Sequence, residues 1–304
     1  MNPFFIRSPW RRELISTTLD FLANEHQVAL VTLCNIEGSA PYPLGTQMLV
    51  RDDGFFVGQI TGGCAEQAIA DQALVNLQSK TNGTQRFGLN SPYFDIQLPC
   101  GSGIDVLVDV ETPIEEYREI QTSLDARREI SKVLKFDTGS IERKYLPNQR
   151  LVLVGQGPIL MHAAKLSLAT GFDVCCLAQD DRTLDYLRRY DLQASLLADT
   201  QLEVFLLDRY TGVVSLFHEH ELENDILSLA LNSESFYIGA LGSRRTHSKR
   251  CEQLIAHGHD MRELERIHGP VGININAQSP SQIASAVVSQ AIDELNKAID
   301  GISN

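Results

Sequence analysis

Residues 11–26 set Leu14, Ile15, Leu19 and Leu22 at helical spacing, and the run from Val28 to Leu33 then reads as a buried, β-branched strand. A loop rich in turn residues follows from Glu37 to Gly45. Met48 to Val50 and Phe55 to Ile60, joined by Asp52-Asp53-Gly54, predict a β-hairpin. The hairpin runs straight into Thr61-Gly62-Gly63-Cys64. Behind it Ile69, Ala73, Leu74 and Leu77 mark one face of a helix that ends in the polar stretch from Lys80 to Gly83. Cys64 is thereby placed at a strand-to-helix junction.

A second strand pattern puts Ile104, Val106, Val108 and Val110 on one face, directly after Leu98-Pro99-Cys100-Gly101-Ser102-Gly103. The charged stretch 111–144 predicts a helix, and Leu146-Pro147-Asn148 is a turn signal. The expected domains are therefore 1–112, a helical linker 113–147, and 148–304. In the last, Leu151 to Val154 is a short apolar strand, Gly155-Gln156-Gly157-Pro158 a tight turn, Ile159 to Thr170 a helix and Asp173 to Ala178 a second strand. That is a βαβ unit. Further strands at Gly212 to Phe217 and Phe236 to Ile238, alternating with helical stretches, complete a doubly wound parallel sheet. The fold class expected is α/β, with an N-terminal α+β domain and a C-terminal Rossmann-like domain.

The chain has 304 residues, enough for about two domains at roughly 150 residues each, and 43% hydrophobic with 21% charged residues lies in the globular range. Its 26 basic and 39 acidic residues give a net charge of −13, which repels nucleic-acid backbones and anionic membrane surfaces. Residues 1–10 are too short for a signal peptide or a membrane span, so a cytoplasmic location is expected. Six scattered cysteines with no CxxC spacing suit reduced, mostly buried thiols.

Three stretches carry candidate chemistry. Gly62 and Gly63 give close access to Cys64, whose thiol pKa the helix start behind it would lower, making a nucleophile or a soft metal ligand; the other reading is a small buried hydrophobe. Cys100 has a similar glycine setting without a helix signal, and Cys175 and Cys176 lie within an apolar strand. Gly155 and Gly157 suit a phosphate-approach turn, with Asp180 or Asp181 placed to hold a ribose; Leu160 stands where a third glycine is usual, and the other reading is a doubly wound domain that uses its glycines only for tight packing. Gly239, Gly242, Ser243, Arg244, Arg245, Lys249 and Arg250 form either an anion site or a solvated basic helix face. His218 and His220 give an HxH spacing with no third ligand.

With these motifs the chain resembles the xanthine dehydrogenase accessory factors of the XdhC/CoxI family. Gly38 to Gly45 is similar to its GSSPRxxG element, Gly58 to Glu66 to GxxxGGCxE, and Leu98 to Gly103 to its PCGG-like element. Gly239 to Lys249 and Gly269 to Ala284 resemble its two C-terminal signatures, the second usually PxGLDIGAxTPEEIA. Tyr42 replaces an arginine, Asn274 an acidic residue, and Ser279-Pro280-Ser281-Gln282 stands for TPEE. The resemblance implies a homodimeric carrier, not an enzyme, that binds molybdenum cofactor (molybdopterin). It would support the cofactor's sulfuration with a cysteine desulfurase and hand it to an apo molybdenum hydroxylase such as xanthine dehydrogenase. Cys64 would then contact molybdenum, with Gly62, Gly63, Glu66 and Cys100 beside it, and a phosphate would lie on a glycine loop or at Arg244 and Arg245. The competing expectation is an NAD(P)-dependent oxidoreductase that uses the Gly155 turn and Asp180 for its nucleotide.

Overall fold

The computed structural model describes residues 14–91, 101–200, 206–216 and 220–300. They form two compact units, 14–147 and 148–300.

The first unit is a five-stranded antiparallel sheet in the order β3-β2-β1-β5-β4. Its strands are β1 (Val28–Glu37), β2 (Gln47–Arg51), β3 (Phe56–Gly58), β4 (Gly83–Gly88) and β5 (Gly103–Asp109). Side chains alternate across β1. Ala29, Val31 and Leu33 pack under α2 (Glu66–Ser79) against Ile69, Ala70, Ala73 and Leu77, while Leu30 faces α1 (Leu14–Ala23) and α3 (Ile114–Asp125). Both faces are covered, so the strand reads as a continuous apolar run.

The segment expected as a helical linker has more structure than that. It contains α3 and a hairpin, β6 (Ile130–Phe136) and β7 (Gly139–Tyr145), and its Tyr117, Ile120 and Tyr145 close a core with Ile15, Leu30 and Leu49. It belongs to the first unit because its apolar side chains have their burial there. The polar stretch expected to end α2 likewise runs on into β4, which pairs with β5 from Gly83↔Val108 to Gly88↔Gly103.

The second unit is a six-stranded parallel sheet of β8 (Arg150–Gly155), β9 (Asp173–Ala178), β10 (Ala194–Leu196), β11 (Thr211–Leu216), β12 (Tyr237–Ala240) and β13 (Ile267–His268). Its order, β10-β9-β8-β11-β12-β13, is the 3-2-1-4-5-6 order of a Rossmann sheet, with the reversal between β8 and β11. On one face pack α4 (Gly157–Ala169), α5 (Asp181–Arg189) and α9 (Pro280–Asp300). On the other lie α6 (His220–Leu231), α7 (Arg244–Ala256) and α8 (Met261–Leu264). Adjacent Cys175 and Cys176 point to opposite faces, each into a core. Burial pushes the Cys175 thiol up to about 12 and also raises that of Cys176, so these are core residues as expected. Among the described residues no helix is long and apolar enough to cross a membrane.

Candidate functional site

Between β3 and α2 the chain makes a loop that would strand several backbone N–H groups at a helix start. One side chain collects them. Glu66, the first residue of α2 and 4% exposed, turns back into the loop. Its Oε1 accepts the N–H of Ile60 (3.0 Å) and Thr61 (2.6 Å), and its Oε2 accepts the Thr61 hydroxyl (2.6 Å) and the Gly63 N–H (2.8 Å). Thr61 Oγ1 in turn accepts the Ala65 N–H at 2.9 Å. Burial alone would raise the carboxyl pKa, but the hydrogen bonds from Thr61 and Ile60 outweigh it, and Glu66 is held below the ordinary glutamate value. Glu66 therefore faces the inside of the loop, where it fixes the shape of the backbone from which Cys64 projects.

Cys64 itself is exposed. Gly62 (φ +75°) and Gly63 (φ +106°) take left-handed conformations, and a Cβ at Gly63 would meet nothing within 4 Å. Two other glycine loops come to the same end of the sheet. Tyr42, where an arginine was expected from the resemblance, donates its hydroxyl to Gln59 Oε1 at 3.2 Å, and a Cβ at Gly62 would lie 3.7 Å from Pro41 Cγ. Gly38 approaches Ser102, and β1 and β5 pair there through Glu37↔Gly103. Arg86 ties that end by binding both Glu37 and Asp105. Cys100 lies outside the described residues. Cys34, missed as a neighbour of this end, is buried in the β1 bulge, donates to the Asp105 carbonyl at 3.1 Å and has its thiol pushed up to about 11 by burial. Its proton stays on, and Cys64 is the exposed thiol of the described part of this unit.

The second unit presents the carboxyl ends of β8, β9, β11 and β12. Gly155 crowds β11 at the reversal point: a Cβ there would sit 2.7 Å from the Leu216 carbonyl carbon. Gly157 (φ +72°) has no heavy atom within 4 Å of its Cβ position, and its N–H donates to Thr183 Oγ1 at 3.0 Å. Thr183 donates its hydroxyl to Asp180 Oδ2 (2.9 Å) and its N–H to Oδ1 (2.7 Å). Asp180 is thus the N-cap of α5, with both oxygens engaged at the rim where a ribose acceptor was expected. Leu160, at the missing third glycine, is fully buried in the core. A cleft of about 590 Å3 opens above this turn, lined by Gly157, Asp180, Arg182, Tyr186 and Leu216 among others.

The expected basic site divides. Gly239 is packed inside β12, where a Cβ would overlap Val271, so it offers no backbone to a ligand. Gly242 is closed over by Thr246, and Ser243 caps α7 by accepting the Thr246 N–H at 3.1 Å. Arg244, Arg245 and Lys249 are exposed. Arg250, grouped with them in the sequence, instead forms a buried ion pair with Glu223 (3.0 Å, each side chain 1% exposed) and donates to the Leu241 carbonyl at 2.7 Å. Glu223 also receives the Ser215 hydroxyl at 2.5 Å. Arg250 stands five and six residues beyond Arg245 and Arg244, which turns it to another face of α7, the one that packs against Glu223. His218 and the His220 side chain lie outside the described residues, within which no group of three or more His, Cys, Asp and Glu could hold a metal ion.

Comparison with known proteins finds two family models in this chain. The XdhC and CoxI family model matches residues 21–88, and the XdhC Rossmann domain model matches 151–291. The molybdenum cofactor insertion chaperone PaoD of Escherichia coli (strain K12) is 31% identical over 297 residues, covering 92% of this chain and 87% of PaoD. A protein of Bacillus subtilis (strain 168) described as a probable xanthine dehydrogenase component is 22% identical over 326 residues, covering 91% of this chain and 96% of that protein. The crystal structure of a protein described as a xanthine dehydrogenase from Bacillus halodurans has a TM-score of 0.76 at 22% identity, covering 93% of this chain and 96% of that one. That likeness is one of fold.

Proposed function

The chain belongs to the XdhC and CoxI family, and from that premise we propose that it is a maturation factor that carries molybdenum cofactor to an apo molybdenum hydroxylase of the xanthine dehydrogenase type. The observation that carries the reading is Cys64: an exposed thiol at a helix start, on a loop whose backbone is satisfied from within by Glu66. A soft thiolate suits the sulfur-rich molybdenum centre of the cargo, and the open backbone at Gly63 leaves room for it to approach. Cys100 is the second candidate contact. In the second unit taken by itself, the open backbone at Gly157 and the exposed Arg244 and Arg245 beside Ser243 are candidate anion contacts.

In this reading the protein is a carrier without turnover of its own. It works in the cytoplasm as a homodimer, and a cysteine desulfurase supplies sulfur to the bound cofactor. The rival reading, an NAD(P)-dependent oxidoreductase, draws on the cleft above Gly157. Metal and pterin analysis of protein purified anaerobically from a cofactor-making host decides between them. Molybdenum and pterin are expected with the wild type and depleted at least about tenfold in Cys64→Ser, as loss of a soft ligand predicts. Equal contents in the two proteins, or hydride transfer by a metal-free preparation, would sink the carrier reading at this site.

A further inference from the structure

In a Rossmann sheet the residue that ends the second strand chooses between ribose types: a free carboxylate accepts from the 2′- and 3′-hydroxyls, and an arginine instead takes a 2′-phosphate. Here β9 passes through Gln179 into Asp180, whose two oxygens each already accept from Thr183. The same threonine accepts the Gly157 N–H, so swinging the carboxylate toward a ribose would uncap α5 and leave the Thr183 hydroxyl beneath the glycine turn without its acceptor. The acid that the sequence offers to a diol is held in place as a helix cap, each oxygen accepting one hydrogen bond from Thr183.

Two residues further on, Arg182 is exposed on the wall of the cleft that starts at Gly157. Among the described residues its guanidinium enters no ion pair or hydrogen bond, although Asp181 and Asp185 are exposed on the same helix. One helical turn later Tyr186, 38% exposed, lines the same cleft. Its ring packs on Tyr190 (centroids 4.9 Å apart), and Tyr190 is held by the Lys165 ammonium 3.3 Å from its ring centre. The Tyr186 ring is therefore braced from α4 and stands partly exposed on the cleft wall, where an aromatic side chain can stack with a flat heterocycle. The cleft, about 590 Å3, is of nucleotide size.

We propose that this cleft selects a nucleotide whose ribose bears a phosphomonoester, with that phosphate on Arg182, the linking phosphates against the open backbone at Gly157, and the base against Tyr186. The proposal rests on reading this edge as a nucleotide cleft and is independent of any cofactor contact at Cys64. Titrating the full chain with NADPH and NADH by nicotinamide fluorescence, and competing with adenosine 2′,5′-bisphosphate and AMP, tests it. NADPH is expected to bind at least about tenfold more tightly than NADH, and the bisphosphate more tightly than AMP, as a charge-assisted contact to a phosphomonoester predicts. Arg182→Gln should close that gap, and Tyr186→Ala should weaken both dinucleotides without changing their ratio. Both side chains are exposed, so the variants keep the fold. Equal binding of NADPH and NADH, a preference that survives Arg182→Gln, or no binding of any of the four would overturn the proposal. Molybdenum retention by the Cys64→Ser protein reads the carrier function separately, so either idea can fail with the other standing.

Discussion

The loop ahead of α2 and the carboxyl edge of the parallel sheet both combine glycines with buried carboxylates, and they spend the carboxylates differently. Glu66 works alone: it faces only backbone N–H groups and one hydroxyl, and its charge is balanced by dipoles at a helix start. Glu223 works against a full cation, Arg250, in a pocket closed to water, while Asp180 caps a helix at the rim. A carboxylate matched to dipoles holds a loop without adding a cation to it and leaves the neighbouring Cys64 exposed. One matched to a guanidinium holds two helices to a strand end and offers nothing to a ligand.

The sharpest way to break that contrast is to remove one member of the ion pair. Arg250→Met alone leaves Glu223 charged and dry and should destabilise the second unit by about 3–5 kcal/mol in denaturant titration, and adding Glu223→Leu should return much of the loss. Glu66→Ala comes next. It orphans the loop N–H groups and should cost about 2–3 kcal/mol, with fast hydrogen exchange confined to residues 60–65. Its pH signature has a definite sign. A carboxyl held below its usual value stabilises fully above the unfolded value of about 4.3 and loses that contribution as pH falls through the lower folded value, so the wild-type loop should weaken below about pH 4 and the Glu66→Ala loop should not show this step. Thr183→Val, which cuts the relay from Asp180 to Gly157, should cost about 1 kcal/mol. Least of all, Cys64→Ser should shift stability by no more than about 0.5 kcal/mol, while removing the fast phase of thiol labelling that buried Cys34, Cys175 and Cys176 do not contribute.

What could be read from the chain follows from what leaves a periodic trace. The buried strands β1, β8 and β9 and the junction at Cys64 are continuous or alternating apolar runs, and they stand where the pattern places them. Strand β4, Gly-Thr-Gln-Arg-Phe-Gly, buries only Phe87 and gives no alternation. The β6–β7 hairpin hides behind lysines, a glutamate and the exposed Val133, so its stretch reads as charged helix. At the candidate sites the residue types were legible and their directions were not. A glutamate at a helix start reads as an outward cap until the backbone behind it is seen, and Arg250 differs from Arg244 and Arg245 only in facing Glu223. Asp180 sits at the expected strand end, but only the Thr183 relay reveals that it serves as the cap of α5.

The close approach of Gly155 to Leu216 bears on how such a cleft can change over generations. No side chain fits at Gly155 without prying β8 from β11, so that position is frozen by the sheet itself. Arg182 and Tyr186 stand on an exposed helix face and answer to no such constraint. Ligand preference at this edge is therefore free to drift by single substitutions on α5 while the turn beneath stays fixed, which makes those two positions the natural target for redesigning what the cleft accepts.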